Sequence, residues 1–269
     1  MMTLTQALWI EPGACVAIVG AGGKTSLCWR LVQEIAARGQ RAIFTTTTKI
    51  WQPTVGTFDL LRISPLPFWE ELGMGSWHTA CIASAIDGLS DPRPINGTFM
   101  PTVQTKLLGF TSGEICALVS TVECQSTIIV ECDGARGLRI KAPSDPEPVI
   151  PACVDVVCVL ANLDAIGRPL DDRIAHHVDR VARLTHTQPG TMISSDLIAA
   201  LLTDAEGGMK GIPSGAHKLA VLTQQGEAEI HPSAHSLMAE LVQRGFDRAV
   251  TIAPRAEQPV LGLSRSLSL

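Results

Sequence analysis

Gly20, Ala21, Gly22, Gly23, Lys24, Thr25 and Ser26 directly follow an apolar run, 15–19, and precede a stretch of helical spacing. Glycines let a backbone turn sharply and bring N–H groups close to an anion. The helix that follows adds its own free N–H groups and the positive end of its dipole. Lys24 then supplies a mobile charge for β- and γ-phosphates, and Thr25 a hydroxyl ligand for Mg2+. These residues predict a cradle for the phosphates of a nucleotide.

Further polar groups stand where other strands are expected to end. After the β-branched run 127–130 come Glu131, Cys132, Asp133, Gly134, Ala135, Arg136 and Gly137. An acid at the end of an apolar strand beside a phosphate loop holds Mg2+, directly or through water. Period-two spacing puts Glu131 and Asp133 on one strand face, so both address one ion with Thr25. Arg136 is placed to steady phosphate charge or a substrate carboxylate, with Lys141 close behind. After the second strand stand four threonines, 45–48, and Lys49. Thr47, Thr48 and Lys49 are expected at the same edge as Lys24, as a switch-like segment. Asp164 follows another apolar strand and reads as a substrate or metal contact, or as a turn residue. Lys24, Lys49, Asp133 and Arg136 are the residues assigned to catalysis.

The loop departs from the common phosphate-loop pattern G-x-x-x-x-G-K-[ST], whose first glycine would fall on Ile18. Its short form resembles the ATP loop of Mur-type ligases, G-x-x-G-K-[TS]. A dinucleotide fingerprint fails twice: Thr25 occupies the third glycine position, and threonines replace the ribose-binding acid after the second strand.

The elements that must position these groups alternate in type. Helical spacing is expected at 27–38, 112–122, 171–184, 195–202 and 233–244, with Ser112 as a cap. A short helix is expected near 68–72. Strands are expected at 42–45, 60–63, 80–85, 127–131, 155–160, 219–223, 249–253 and 260–263. Loops are expected at 90–101, 143–151 and 207–215. His176 and His177 fall in the helix beginning near Asp171. Adjacent helical positions diverge by about 100°, so only one of the two is expected to face a site. Continuous apolar strands between helices indicate an α/β fold: a mostly parallel sheet covered by helices on both faces, like that of P-loop NTPases. One domain spanning 1–269 is expected, with a small C-terminal extension from about 204.

Composition excludes several classes. The 269 residues are 46% hydrophobic and 17% charged, with net charge −5, so a full core is available. The pI is about 5.8 and no Lys/Arg run exists, which argues against a nucleic-acid surface. No run of about 18 apolar residues exists to span a membrane. The N-terminus lacks the charged flank and apolar core of a signal peptide. The eight cysteines are scattered without C-x-x-C and read as inert small hydrophobes in a reducing cytoplasm, Cys132 apart because of its motif.

Taken together, the blocks VGAGGKTS (19–26), TTTTKIW (45–51), KLLGF (106–110), VECDGARG (130–137), KAP (141–143), EPVIP (147–151), Leu163-Asp164 with Gly167, and GGMKGIP (207–213) resemble the selenium-dependent hydroxylase accessory protein family, YqeC type. The resemblance implies ATP or GTP with Mg2+ as cofactors. It also implies a role in maturing selenium- and molybdenum-containing hydroxylases, with a hydroxylase or a cofactor-maturation protein as partner. Two departures stand out. The family tends to carry Asn-Lys-x-Asp after the strand 219–222, where this chain has Thr223, Gln224, Gln225, Gly226 and Glu227. It also tends to place Arg after the helical His, where this chain has His177. Three readings follow: a nucleotide-dependent maturation factor; a small-molecule kinase or ATP-dependent ligase with a second pocket at Lys141, Glu147 and Asp164; and a non-catalytic cofactor chaperone with a nucleotide switch.

Overall fold

The apolar run before the glycines forms β1 (Cys15–Gly20), at the centre of a nine-stranded sheet. The structure, a computed structural model, describes residues 2–65, 72, 75–90, 104–122, 126–226 and 229–265. The other strands are β2 (Arg41–Thr46), β3 (Lys49–Trp51), β4 (Leu60–Ile63), β5 (Thr79–Ala83), β6 (Ala85–Ser90), β7 (Gln104–Leu108), β8 (Ser126–Glu131), β9 (Ile140–Lys141), β10 (Val156–Asn162), β11 (Ala175–His176), β12 (His217–Thr223), β13 (Arg248–Ile252) and β14 (Val260–Arg265). The α-helices are α1 (Leu4–Ala7), α2 (Lys24–Ala36), α3 (Ser112–Val122), α4 (Val178–Leu184), α5 (Ser195–Thr203) and α6 (Ala234–Gln243).

The main sheet has the order β14-β13-β12-β10-β1-β8-β2-β5-β4, and every pairing is parallel except that of β14 with β13. Side chains of β1 alternate between two cores. Cys15, Ala17 and Val19 pack with Ile115, Leu118, Val181, Leu197 and Leu237 from helices on one face. Val16 and Ile18 pack with Leu4, Leu27, Leu31 and Ile35 from α1 and α2 on the other. That is why β1 reads as an unbroken apolar run: both of its faces are covered. Each fully buried Leu in α2 contributes about 1.5–3 kcal/mol, which pins the helix behind the glycine loop. β12, β13 and β14 extend the same sheet beyond residue 204.

The structure departs from the sequence reading in four places. First, residues 171–177 are not helical. His176 lies on β11, which pairs in parallel with β9, and α4 begins only after His177. The two-residue strand is too short to show a period. Second, α3 is capped by Thr111 rather than Ser112. The Thr111 hydroxyl accepts from the Glu114 amide, and Glu114 accepts from the Thr111 amide, a reciprocal box. Third, Lys49, expected in a switch-like segment, begins β3, which joins β7 and β6 in a small antiparallel sheet. Fourth, Cys116 and Cys153 form a disulfide, so they are not inert hydrophobes. The free cysteines among the described residues do fit that reading. Burial pushes the Cys15, Cys81 and Cys158 thiols up to about 12, with Asp155 adding to the effect at Cys15. Cys132 is raised as well, so its thiol is no nucleophile at neutral pH. The helix expected near 68–72 and the loop at 90–101 fall largely outside the described residues.

Candidate functional site

Gly20, Gly22 and Gly23 all have left-handed backbones, with φ of 90°, 86° and 114°. This turns the chain from β1 into α2 within three residues. Gly22 has a second requirement: a Cβ there would come within 2.4 Å of Asn162 Cβ and 2.8 Å of the Arg139 carbonyl oxygen. The loop is stitched to its neighbours. Ala21 N–H donates to Leu160 O, Thr223 Oγ1 donates to Gly22 O, and Asn162 Nδ2 donates to Thr223 Oγ1. No side chain caps α2. Among the described residues no acceptor meets the amides of Gly22, Gly23, Lys24, Thr25 or Ser26. Five consecutive N–H groups leading into α2 therefore have their bonding capacity open.

The acids stand beside this loop because β8 is the neighbour of β1, with Ile18 in register with Glu131. Thr25 Oγ1 donates to Glu131 Oε2 at 2.9 Å. Burial raises the Glu131 carboxyl, and Lys24 offsets only part of that rise. Asp133 is 2% exposed; its Oδ2 accepts from Gly20 N–H at 3.1 Å and lies 3.1 Å from Lys141 Nζ. Its Oδ1 lies 3.1 Å from Lys24 Nζ but has no aligned donor among the described residues. Lys24 itself is buried, its Nζ donating to Gly20 O at 2.7 Å. Burial opposes its charge, but Asp133 and Glu131 outweigh burial and hold it above the ordinary lysine range. Lys141 donates to Gly134 O and pairs with Glu147 at 2.7 Å. Burial would raise Glu147, yet bonds from Lys141 and Ser144 bring its carboxyl down to about 2. Lys24, Asp133, Lys141 and Glu147 thus form one chain of alternating charge, running from the glycine loop into the proline-rich segment.

Lys24, Thr25, Glu131 and Asp133 are brought together. Lys141 joins them through Asp133, with a side chain 0% exposed, so it orders the site from behind. Asp164 lies near the loop through Asn162 and takes Arg139 Nη1 at 2.9 Å and the Gln225 amide at 3.2 Å. Thr47 donates through its hydroxyl to Val149 O, and the Thr48 amide donates to Thr46 Oγ1. Lys49 is not brought in: its ammonium pairs with Asp87 of the small sheet at 2.7 Å and is half exposed. Arg136 is exposed on the turn after β8, with φ of 51°. Sequence reasoning missed Arg139, which donates to both Asn162 and Asp164 and whose carbonyl abuts Gly22. No motif marked it; only the pairing of β10 with β1 brings Asn162 and Arg139 to the loop. Gln224, in the segment that departs from Asn-Lys-x-Asp, has its amide engaged with Glu229 O and the His231 N–H.

A cavity of about 330 Å3, lined by residues including Thr5, Trp9, Arg38 and Thr127, lies at the opposite, amino ends of the strands. Among the described residues no group of three or more His, Cys, Asp and Glu side chains forms a metal site. No described helix is long and apolar enough to cross a membrane.

A family model for the YqeC protein matches residues 16–179, which span the glycine loop, both acids, Lys141 and Glu147. The chain belongs to the YqeC family. It is also 28% identical, over 263 residues and 95% of each chain, to "Uncharacterized protein YqeC" of Escherichia coli strain K12. That second likeness extends past residue 179.

Proposed function

We propose that the chain is a nucleotide-binding factor, taking ATP or GTP with Mg2+ at the loop after β1. Following the family resemblance, its role is in maturing a selenium- or molybdenum-dependent hydroxylase or its cofactor. The observation that carries the reading is the cluster of open amides at Gly22–Ser26 beside a buried lysine. Phosphate oxygens satisfy such amides, and the low-dielectric surroundings strengthen each bond. The donor set also fits Mg2+. The Thr25 hydroxyl and Glu131 carboxylate are adjacent oxygens, and Mg2+ ordinarily takes one or two protein ligands, completing its shell with phosphate and water.

In this reading Lys24 moves from Gly20 O and Asp133 toward the phosphates, while Asp133 stays neutralised by Lys141. Thr25 and Glu131 hold the metal, and Arg139 and Asn162 keep the loop in shape. The test is calorimetric titration of the intact chain with ATP and with GTP, each with and without Mg2+. Binding of at least one nucleotide is expected, weakened at least about tenfold without Mg2+ or by Thr25→Ala, a loss near 1.4 kcal/mol. If neither nucleotide binds, the reading is wrong.

A further inference from the structure

A second cluster lies on the far side of Lys141 from the glycine loop. His176 is the register partner of Lys141 where β11 pairs with β9. The His176 and His177 rings stack with centroids 3.9 Å apart and planes at 25°. Because residues 171–177 are not helical, the two rings lie together rather than about 100° apart. His177 and Arg136 both have left-handed backbones, φ 63° and 51°. For residues other than glycine this costs about 1–3 kcal/mol each, a strain that tends to persist at ligand-handling sites.

The charge around the rings is lopsided. Glu147 and Asp133 are already paired with Lys141, and Asp145 with Arg180 at 2.7 Å. Arg136 has no carboxylate partner among the described residues and is exposed. The Arg180 Nε–H is buried without an acceptor. Burial lowers His176 to about 4, with the fields of His177, Lys141 and Arg136 adding to it and Glu147 opposing; burial also lowers His177, against Glu147 and with Lys141, Arg136 and Arg180. Both rings are neutral near pH 7, and each offers one N–H donor. The cluster thus holds an unpaired guanidinium beside neutral ring donors; Asp133, Asp145 and Glu147 are already paired, while Asp172 and Asp179 of the same segment stand exposed to solvent.

We propose that Arg136, His176, His177 and Arg180 form an oxyanion-binding subsite for a small-molecule second substrate bearing a carboxylate or phosphate group. It stands one ion-pair chain away from the phosphate loop, through Lys141 and Asp133. The assignment as a second substrate rests on the nucleotide reading above; the anion binding does not. A free guanidinium favours the planar, bidentate geometry of such groups.

The test follows the histidine Cε1–Hε1 resonances of the full chain during titration with inorganic phosphate and, separately, with acetate. The His176 and His177 signals are expected to move saturably with at least one anion, and the one that binds identifies the group. Arg136→Gln is expected to weaken that binding at least about tenfold. No movement of either histidine by about 50 mM of both anions, well above a millimolar dissociation constant, overturns the subsite. So does an Arg136→Gln response equal to that of the parent. The two proposals fail separately: if neither nucleotide binds the parent chain while the histidines respond, the nucleotide reading falls and the anion subsite stands.

Discussion

Lys24→Met is expected to raise the dissociation constant for the preferred nucleotide with Mg2+ about 100-fold, while the chain stays folded. A charge-assisted hydrogen bond is worth roughly 1.5–3 kcal/mol, and an ammonium between two phosphates makes more than one. The net is smaller than that sum, because the ammonium first leaves Gly20 O at 2.7 Å and Asp133 at 3.1 Å. About 2.7 kcal/mol, or two decades of affinity, is the balance expected. The fold survives because Asp133 keeps Lys141 and the Gly20 amide as partners. Calorimetry measures the first effect and urea denaturation the second. An affinity unchanged from the parent means that Lys24 is not the phosphate-binding group.

The second large effect is on stability. Lys141→Met is expected to cost about 3–5 kcal/mol, since it breaks a charge chain around a side chain that is 0% exposed and leaves Glu147 without its cation. Asp133 retains Lys24, but Glu147 loses the cation that holds its carboxyl at about 2. The pH dependence follows with a definite sign. A carboxyl depressed in the fold from 4.5 to about 2 stabilises the parent fully above pH 4.5, and that contribution disappears as pH falls toward 2. Lys141→Met should flatten this acid step as well as lower the plateau. Denaturant midpoints measured from neutral pH to about pH 3, inside the window between the two carboxyl states, read both effects. A variant as stable as the parent would mean that the buried charge chain has little structural weight.

Much of the architecture was legible because the signals were local. Strands buried on both faces read as continuous apolar runs, and β1, β8, β10 and β12 lie where those runs fall. The register of Ile18 with Glu131 then delivers the Thr25–Glu131 contact that the strand-end argument required. What stayed hidden depended on contacts between distant residues. Lys49 sits only a few residues from the threonines, but β3 pairs with β7 and carries it to Asp87. His176 and His177 lie next to α4, and apolar spacing extended that helix backwards over them. Lys141 and Glu147 were both marked, but nothing in their spacing shows that a single aspartate links them to Lys24. Arg139 had no local signature, because its role comes from Asn162, whose amide donates to the Arg139 carbonyl and whose Oδ1 accepts from the Arg139 guanidinium.

The most direct test of the phosphate-loop claim is the backbone amide spectrum of the intact chain, recorded while ATP and Mg2+, then GTP and Mg2+, are added. The account predicts saturable shifts, with at least one nucleotide, concentrated at Gly22, Gly23, Lys24, Thr25 and Ser26, the amides left without acceptors at the start of α2. Amides there that stay fixed while both nucleotides are raised to saturating levels, or shifts confined to the cavity near Trp9 and Arg38, would contradict it.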